Sequence, residues 1–203
     1  MVQLVAVALY HRNHFSLGNA RQAFGYEAYH WSIMVMPEIA SGDEEICHLF
    51  DATDTSAINP QTFRMNNPKM EWWYRSQIDI NPHLNMKLLG RVVFGQIPDE
   101  ISSSELDEFF HNIPLPVKNT YPQQSSVSWA IDAICAIQKQ GWAPEFDMRK
   151  FKDFALAYGD ERMQGSESKE LDVKHFDVEQ EDALVDKEEP LEGDEGSLTD
   201  KEG

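Results

Sequence analysis

The chain has 203 residues, with 35 Asp/Glu against 17 Lys/Arg and a formal net charge of −18 at pH 7. That length is enough for one domain with a buried core. The acidic balance excludes the basic footprint that nucleic-acid binding needs and disfavours an anionic membrane surface.

The charge is uneven. Residues 160–203 hold 17 Asp/Glu and 5 Lys/Arg, a net of −12, so residues 1–159 carry only −6. Two cysteines, Cys47 and Cys135, give neither a disulfide framework nor zinc spacing, and reduced thiols are expected. The opening run "LVAVALY" is shorter than the apolar region of a typical secretion signal and has no positive segment before it. No stretch approaches the ~20 apolar residues of a membrane span. The expectation is a soluble, cytoplasmic protein with no membrane span, no metal and no cofactor.

In chain order, Leu4–Tyr10 is a short β-branched apolar run and reads as a buried strand. A polar loop with Gly18 and Gly25 follows. Tyr29–Met36, "YHWSIMVM", is a second strand stopped by Pro37. Alternation places His30, Ser32 and Met34 on one face, and Tyr29, Trp31, Ile33 and Val35 on the other. Ile46–Ala52, "ICHLFDA", is a third strand, with His48 and Phe50 on one face and Cys47 and Leu49 on the other. "MEWWYRS" and Met86–Ile97 read as further strands. Ser102–Ile113 reads as a short helix with capping-box spacing between Ser102 and Glu105. A helix is expected from about Ser125 to Gln140, stopped by Gly141. Pro144–Gly159 is expected to be the last helix, with proline near its start and glycine past its end. Beyond Gly159 only Phe176 is aromatic, while Glu, Asp, Lys, Ser and Gly dominate. Such a segment buries too little apolar surface to offset its ordering entropy, so residues 160–203 are expected to form a disordered acidic tail.

Chemistry could reside at the start of the Ser125 helix. Cys135 lies nine positions after Ser126, which turns it to roughly the opposite side of the helix at ~100° per residue. It reads as a packed thiol beside Ile131 and Ile134, and Cys47 as a packing residue on its strand. Ser125 and Ser126, taken alone, are ordinary capping residues. His30 and His48, taken alone, are half-buried strand histidines. His11 and His14 have no carboxylate or thiol set nearby in sequence and read as surface residues, not metal ligands. Trp72, Trp73 and Tyr74 either line a pocket or pack both faces of a strand. Arg91, inside an apolar strand, either emerges at an edge or pairs with an acid.

Taken in order, "HWSI", "CHLFDA", "EWWYRS", "LLGRVVFGQI" and "SSVSWAIDAI" resemble the permuted papain-like group over about Val5 to Trp142. That group contains the NlpC-type peptidases and the lecithin retinol acyltransferase-like proteins. The likeness is nearer to a set of uncharacterised fungal proteins, which implies a fungal source. The resemblance implies an α+β fold, with an antiparallel sheet of about five strands, helices packed on it, and a domain over residues 1–159. It also implies that His30 is the catalytic base, His48 the orienting group, and Ser126 the residue in the place of the cysteine. Ser125 falls on the preceding asparagine and Trp129 on the helix aromatic.

The departure lies in the nucleophile. A thiol ionises near pH 8.5, and a helix N-terminus with a nearby imidazolium lowers that further. A serine hydroxyl is far less acidic and needs proton removal during attack. Three expectations follow. The first is a catalytically degenerate protein with a binding or accessory role, holding a small acyl or peptide-like ligand or a protein partner. The second is a serine hydrolase or acyltransferase on acyl or amide substrates, using Ser126, His30 and His48. The third is an interaction protein that shares only the fold.

Overall fold

The computed structural model describes residues 2–38, 45–165 and 173–177. Its centre is a six-stranded sheet in the order β6-β3-β2-β1-β7-β8. The strands are β1 (Val2–His11), β2 (Tyr29–Pro37), β3 (Cys47–Thr53), β6 (Trp73–Ile80), β7 (Leu88–Pro98) and β8 (Val173–His175). β4 (Ala57–Ile58) and β5 (Met65–Asn66) form a separate two-stranded ribbon. All ladders of the main sheet are antiparallel except the last, in which β8 runs parallel to β7. The fold is α+β with a mostly antiparallel sheet.

The helices are α1 (Gly18–Phe24), α2 (Ser103–His111), α3 (Ser126–Lys139) and α4 (Met148–Met163). Alternation on the strands decides where three of them pack. Tyr29, Trp31, Ile33 and Val35 of β2, with Val5, Val7 and Leu9 of β1, present one apolar face. Against it lie Leu106 and Phe110 of α2, Trp129, Ala133 and Ile137 of α3, and Phe151 and Tyr158 of α4. Fully burying one such aliphatic or aromatic side chain is worth roughly 1.5–3 kcal/mol, so this layer holds the helices to the sheet.

The opposite face carries a smaller cluster that includes Ala6, Ala8, Met34, Met36, Cys47 and Leu49. A buried ion pair interrupts it, Arg91 of β7 with Glu45. The acid partner expected for Arg91 is therefore Glu45.

Three expectations need correction. The region expected to be a loop around Gly18 contains α1. Gly159 does not end the last helix: α4 begins at Met148, capped by Asp147, and continues through Gly159 to Met163. Here glycine serves packing, because a Cβ on it would come within 2.9 Å of the Tyr29 ring. The acidic segment also supplies a strand. Val173–His175 pair with Arg91–Val93, and Phe176 packs against Phe146, Phe151 and Phe154 with ring centroids 5.1–5.4 Å apart. That one aromatic supplies the apolar anchor which composition over the whole segment hides. The remainder of the expected tail, residues 166–172 and 178–203, lies outside the described residues.

Candidate active site

Helix α3 begins with the two serines, and they do different things. Ser125 is the N-cap: its Oγ accepts from the Val127 N–H at 3.2 Å, and its own N–H donates to Ser128 Oγ at 2.9 Å. Ser126 is the first helical residue and does not cap. Its side chain is buried, and its Oγ accepts from the backbone N–H of Trp31 at 3.4 Å. Trp129 follows on the inner face of the helix and packs near Phe110 and Tyr74, as a core aromatic.

The backbone of Trp31 ties Ser126 to β2 one residue after His30. His30 and Ser126 line the same open cavity of about 730 Å³. No hydrogen bond joins the Ser126 hydroxyl to the His30 ring among the described residues. His30 bonds through Nε2 to Oδ2 of Asp51 at 2.9 Å.

Asp51 reaches this position through register. Met34 pairs with Leu49 on β3, so Leu49 and Asp51 share the face of His30 and Ser32. Asp51 is fully buried and accepts four hydrogen bonds. Arg75 gives Nε to Oδ1 at 3.0 Å and Nη2 to Oδ2 at 2.6 Å, and Ser32 Oγ donates to Oδ2 at 2.9 Å. The fourth comes from His30. Burial alone would raise the Asp51 carboxyl, but the hydrogen bonds and charges of His30 and Arg75 outweigh it and hold the group at about 2. The acid is thus ionised at neutral pH and fixes the imidazole tautomer. Nε2 carries the proton and Nδ1 keeps the lone pair, which is the form a general base requires.

His48 is not part of this arrangement. It pairs with Val35 and shares the face of Phe50, opposite to that of His30. Its Nδ1 accepts from the Asp79 N–H at 3.3 Å, and burial lowers its pKa against the opposing charge of Asp79. The contact with His30 expected of His48 is made by Asp51. The same parity rule governs both residues, since His48 and Asp51 differ by an odd number of positions. What sequence lacks is the register of β3 against β2. A local signal for Asp51 does exist: a carboxylate between Phe50 and Ala52 in an apolar strand needs a partner. Arg75 in "WWYRS" is its counterpart.

The other candidates fall into place. Trp72 and His11 line the cavity, Trp73 is exposed, and Tyr74 packs inward. His14 packs on Phe15 with centroids 4.0 Å apart and the rings tilted by 37°. Cys47 is buried and its thiol is pushed up to about 12, first by burial and then by Glu45. Cys135 is half-buried, less enclosed than expected. Among the described residues, no group of three or more His, Cys, Asp or Glu is placed to hold a metal ion. No helix among them is long and apolar enough to cross a membrane.

The fold and site define an α+β protein in which a His–Asp pair and a helix-start serine share one open cavity. The chain belongs to a family described as Family of unknown function (DUF6914), whose model matches residues 3–186. No curated protein and no solved structure matches it.

Proposed function

We propose that the chain is a catalytically degenerate, permuted papain-like protein whose cavity binds a small acyl or peptide-like ligand in a binding or accessory role. One observation carries this reading. Ser126 stands where the thiol is expected, and its Oγ is engaged by the Trp31 N–H, with no hydrogen bond to His30 among the described residues. The permuted arrangement draws support from chain order: the strand histidine comes first, a strand acid next, and the helix-start residue last, all three elements meeting at one cavity. The oriented His30–Asp51 pair is then an inherited scaffold, with a poorly acidic hydroxyl in place of a thiolate.

A second reading, an active serine hydrolase or acyltransferase, is favoured by one specific observation. Asp51 orients His30 and leaves Nδ1 free to act as a base, and an apo hydroxyl–imidazole contact often tightens only when substrate binds. A fluorophosphonate probe separates the two readings. The binding role predicts no labelling of the intact protein, whereas labelling that is lost in both Ser126→Ala and His30→Ala establishes the serine enzyme. In the binding reading, Ser126→Cys restores a reactive thiol beside His30, measured by iodoacetamide alkylation against pH. An introduced thiol no more reactive than that of free cysteine would count against the papain-like arrangement itself.

A further inference from the structure

Arg75 has donors left over. It spends Nε and one Nη2 proton on Asp51, which lies fully buried beneath it. A guanidinium carries five N–H donors. Nη1 has no hydrogen-bond partner among the described residues, and the side chain, 32% exposed, lines the cavity. The unused end is a planar fork, already oriented by the clamp on Asp51, and it matches the two oxygens of a carboxylate.

The surrounding charge favours the same ligand. The chain carries −18, yet the cavity wall brings Arg12, Arg75 and Lys87 together against the acids Glu27 and Asp54. With Asp51 counted, the site is close to neutral. An anion meets little net repulsion there and finds unused donors. A near-neutral lining suits a monoanion better than a phosphate dianion. Arg12 spends Nη1 on the Glu27 carbonyl oxygen at 2.6 Å, while Lys87 is exposed and forms no ion pair among the described residues. Among the polar side chains of the wall, Phe15, Phe24, Leu49, Met70 and Trp72 add apolar surface. A volume of about 730 Å³ is in the usual range for small-molecule sites, roughly 300–1,000 Å³.

Building on the binding role argued above, we propose that the cavity takes an amphipathic monocarboxylate. Its headgroup sits on the free edge of Arg75 with Lys87 nearby, and its apolar portion lies along Leu49 and Trp72. The ligand's acid thus sits beside His30 without using the serine as a nucleophile.

The test is calorimetric titration of the full chain with octanoate, with its neutral analogue octanamide and with octyl phosphate. Octanoate is expected to bind at least about tenfold tighter than octanamide, the loss typical of one charge-assisted contact. Lys87→Glu, at an exposed position that makes no hydrogen bond to Asp51, is expected to weaken octanoate several-fold and leave octanamide unchanged. Arg75→Gln is expected to abolish the preference for octanoate. Should Arg75→Gln fail to fold, Lys87→Glu still decides the matter. Equal binding of octanoate and octanamide overturns the headgroup site but leaves a binding cavity. Tighter binding of octyl phosphate than octanoate overturns the monoanion assignment. No binding of any of the three overturns both this proposal and the ligand-binding role beneath it.

Discussion

His30 and Asp51 stand on neighbouring strands and share one hydrogen bond, Nε2 to Oδ2 at 2.9 Å, with the carboxylate fully buried. Arg75 closes the other side of the same carboxylate. The acid therefore serves two donors, and removing it leaves the Arg75 guanidinium without its counter-charge and the His30 ring without its anchor. Asp51→Ala is expected to destabilise the fold by about 3 kcal/mol, at the lower end for breaking a buried pair because Arg75 is one-third exposed. Urea denaturation followed by tryptophan fluorescence checks this. His48→Ala, which touches neither partner, should leave the His30 ring resonances in place.

The same carboxylate sets an acid limit. Its folded pKa of about 2 lies below the ordinary value of 3.8. A depressed acid contributes stability that is fully present above its unfolded pKa and is lost as pH falls through the folded one. The window is thus roughly pH 4 down to about 2, and the contribution is about 2 kcal/mol. Thermal melts across that window should show Asp51→Asn with a flatter acid limb than the parent. An identical limb would mean that Asp51 is not the titrating group.

Ser125 and Ser126 adjoin in sequence but should separate by experiment. Ser125→Ala removes the N-cap and is expected to cost about 1 kcal/mol of stability. Ser126→Ala removes only a hydroxyl that accepts one long bond, and should change stability by less than about 0.5 kcal/mol. A larger loss at Ser126 than at Ser125 would contradict the assignment of the cap.

Gly90 lies under Tyr158. A Cβ there would meet the tyrosine ring and hydroxyl at 2.3–2.7 Å. Gly90→Ala is expected to destabilise by about 1–3 kcal/mol through overpacking between β7 and α4. Pairing it with Tyr158→Phe, which removes the hydroxyl, should relieve part of that loss in a double-mutant cycle.

Phe176 is the apolar anchor of β8. Phe176→Ala is expected to cost about 2 kcal/mol, less than for a fully buried phenylalanine because this ring is only partly enclosed. Hydrogen exchange at residues 173–176 should accelerate ahead of the remainder of the sheet.

Much of this is legible in the sequence because it rests on local rules. The alternation in "YHWSIMVM" separates His30 and Ser32 from Trp31 and Ile33, and the structure keeps that division. The capping box at Ser102 is present, with Glu105 returning to the Ser102 N–H at 2.9 Å. Alternation within β3 is equally legible. It does not say which of its faces meets that of His30, because that depends on pairing between strands distant in sequence. Resemblance alone therefore favours His48 over Asp51. β8 escapes notice for a different reason: a three-residue strand with one aromatic is invisible in a segment whose average composition is that of a solvated chain.

The sheet order has a further consequence for biosynthesis. β1 is made before the other strands, yet it ends up in the interior of the sheet, between β2 and β7. β2 can pair with it early, but its other edge finds its partner only when Leu88–Pro98 emerges. At roughly 5–20 residues per second this interval lasts several seconds, during which an apolar strand edge stands open. The nascent β1–β2–β3 segment is thus the stage at which this chain is most exposed to association with other chains, and where holding by a chaperone would matter most.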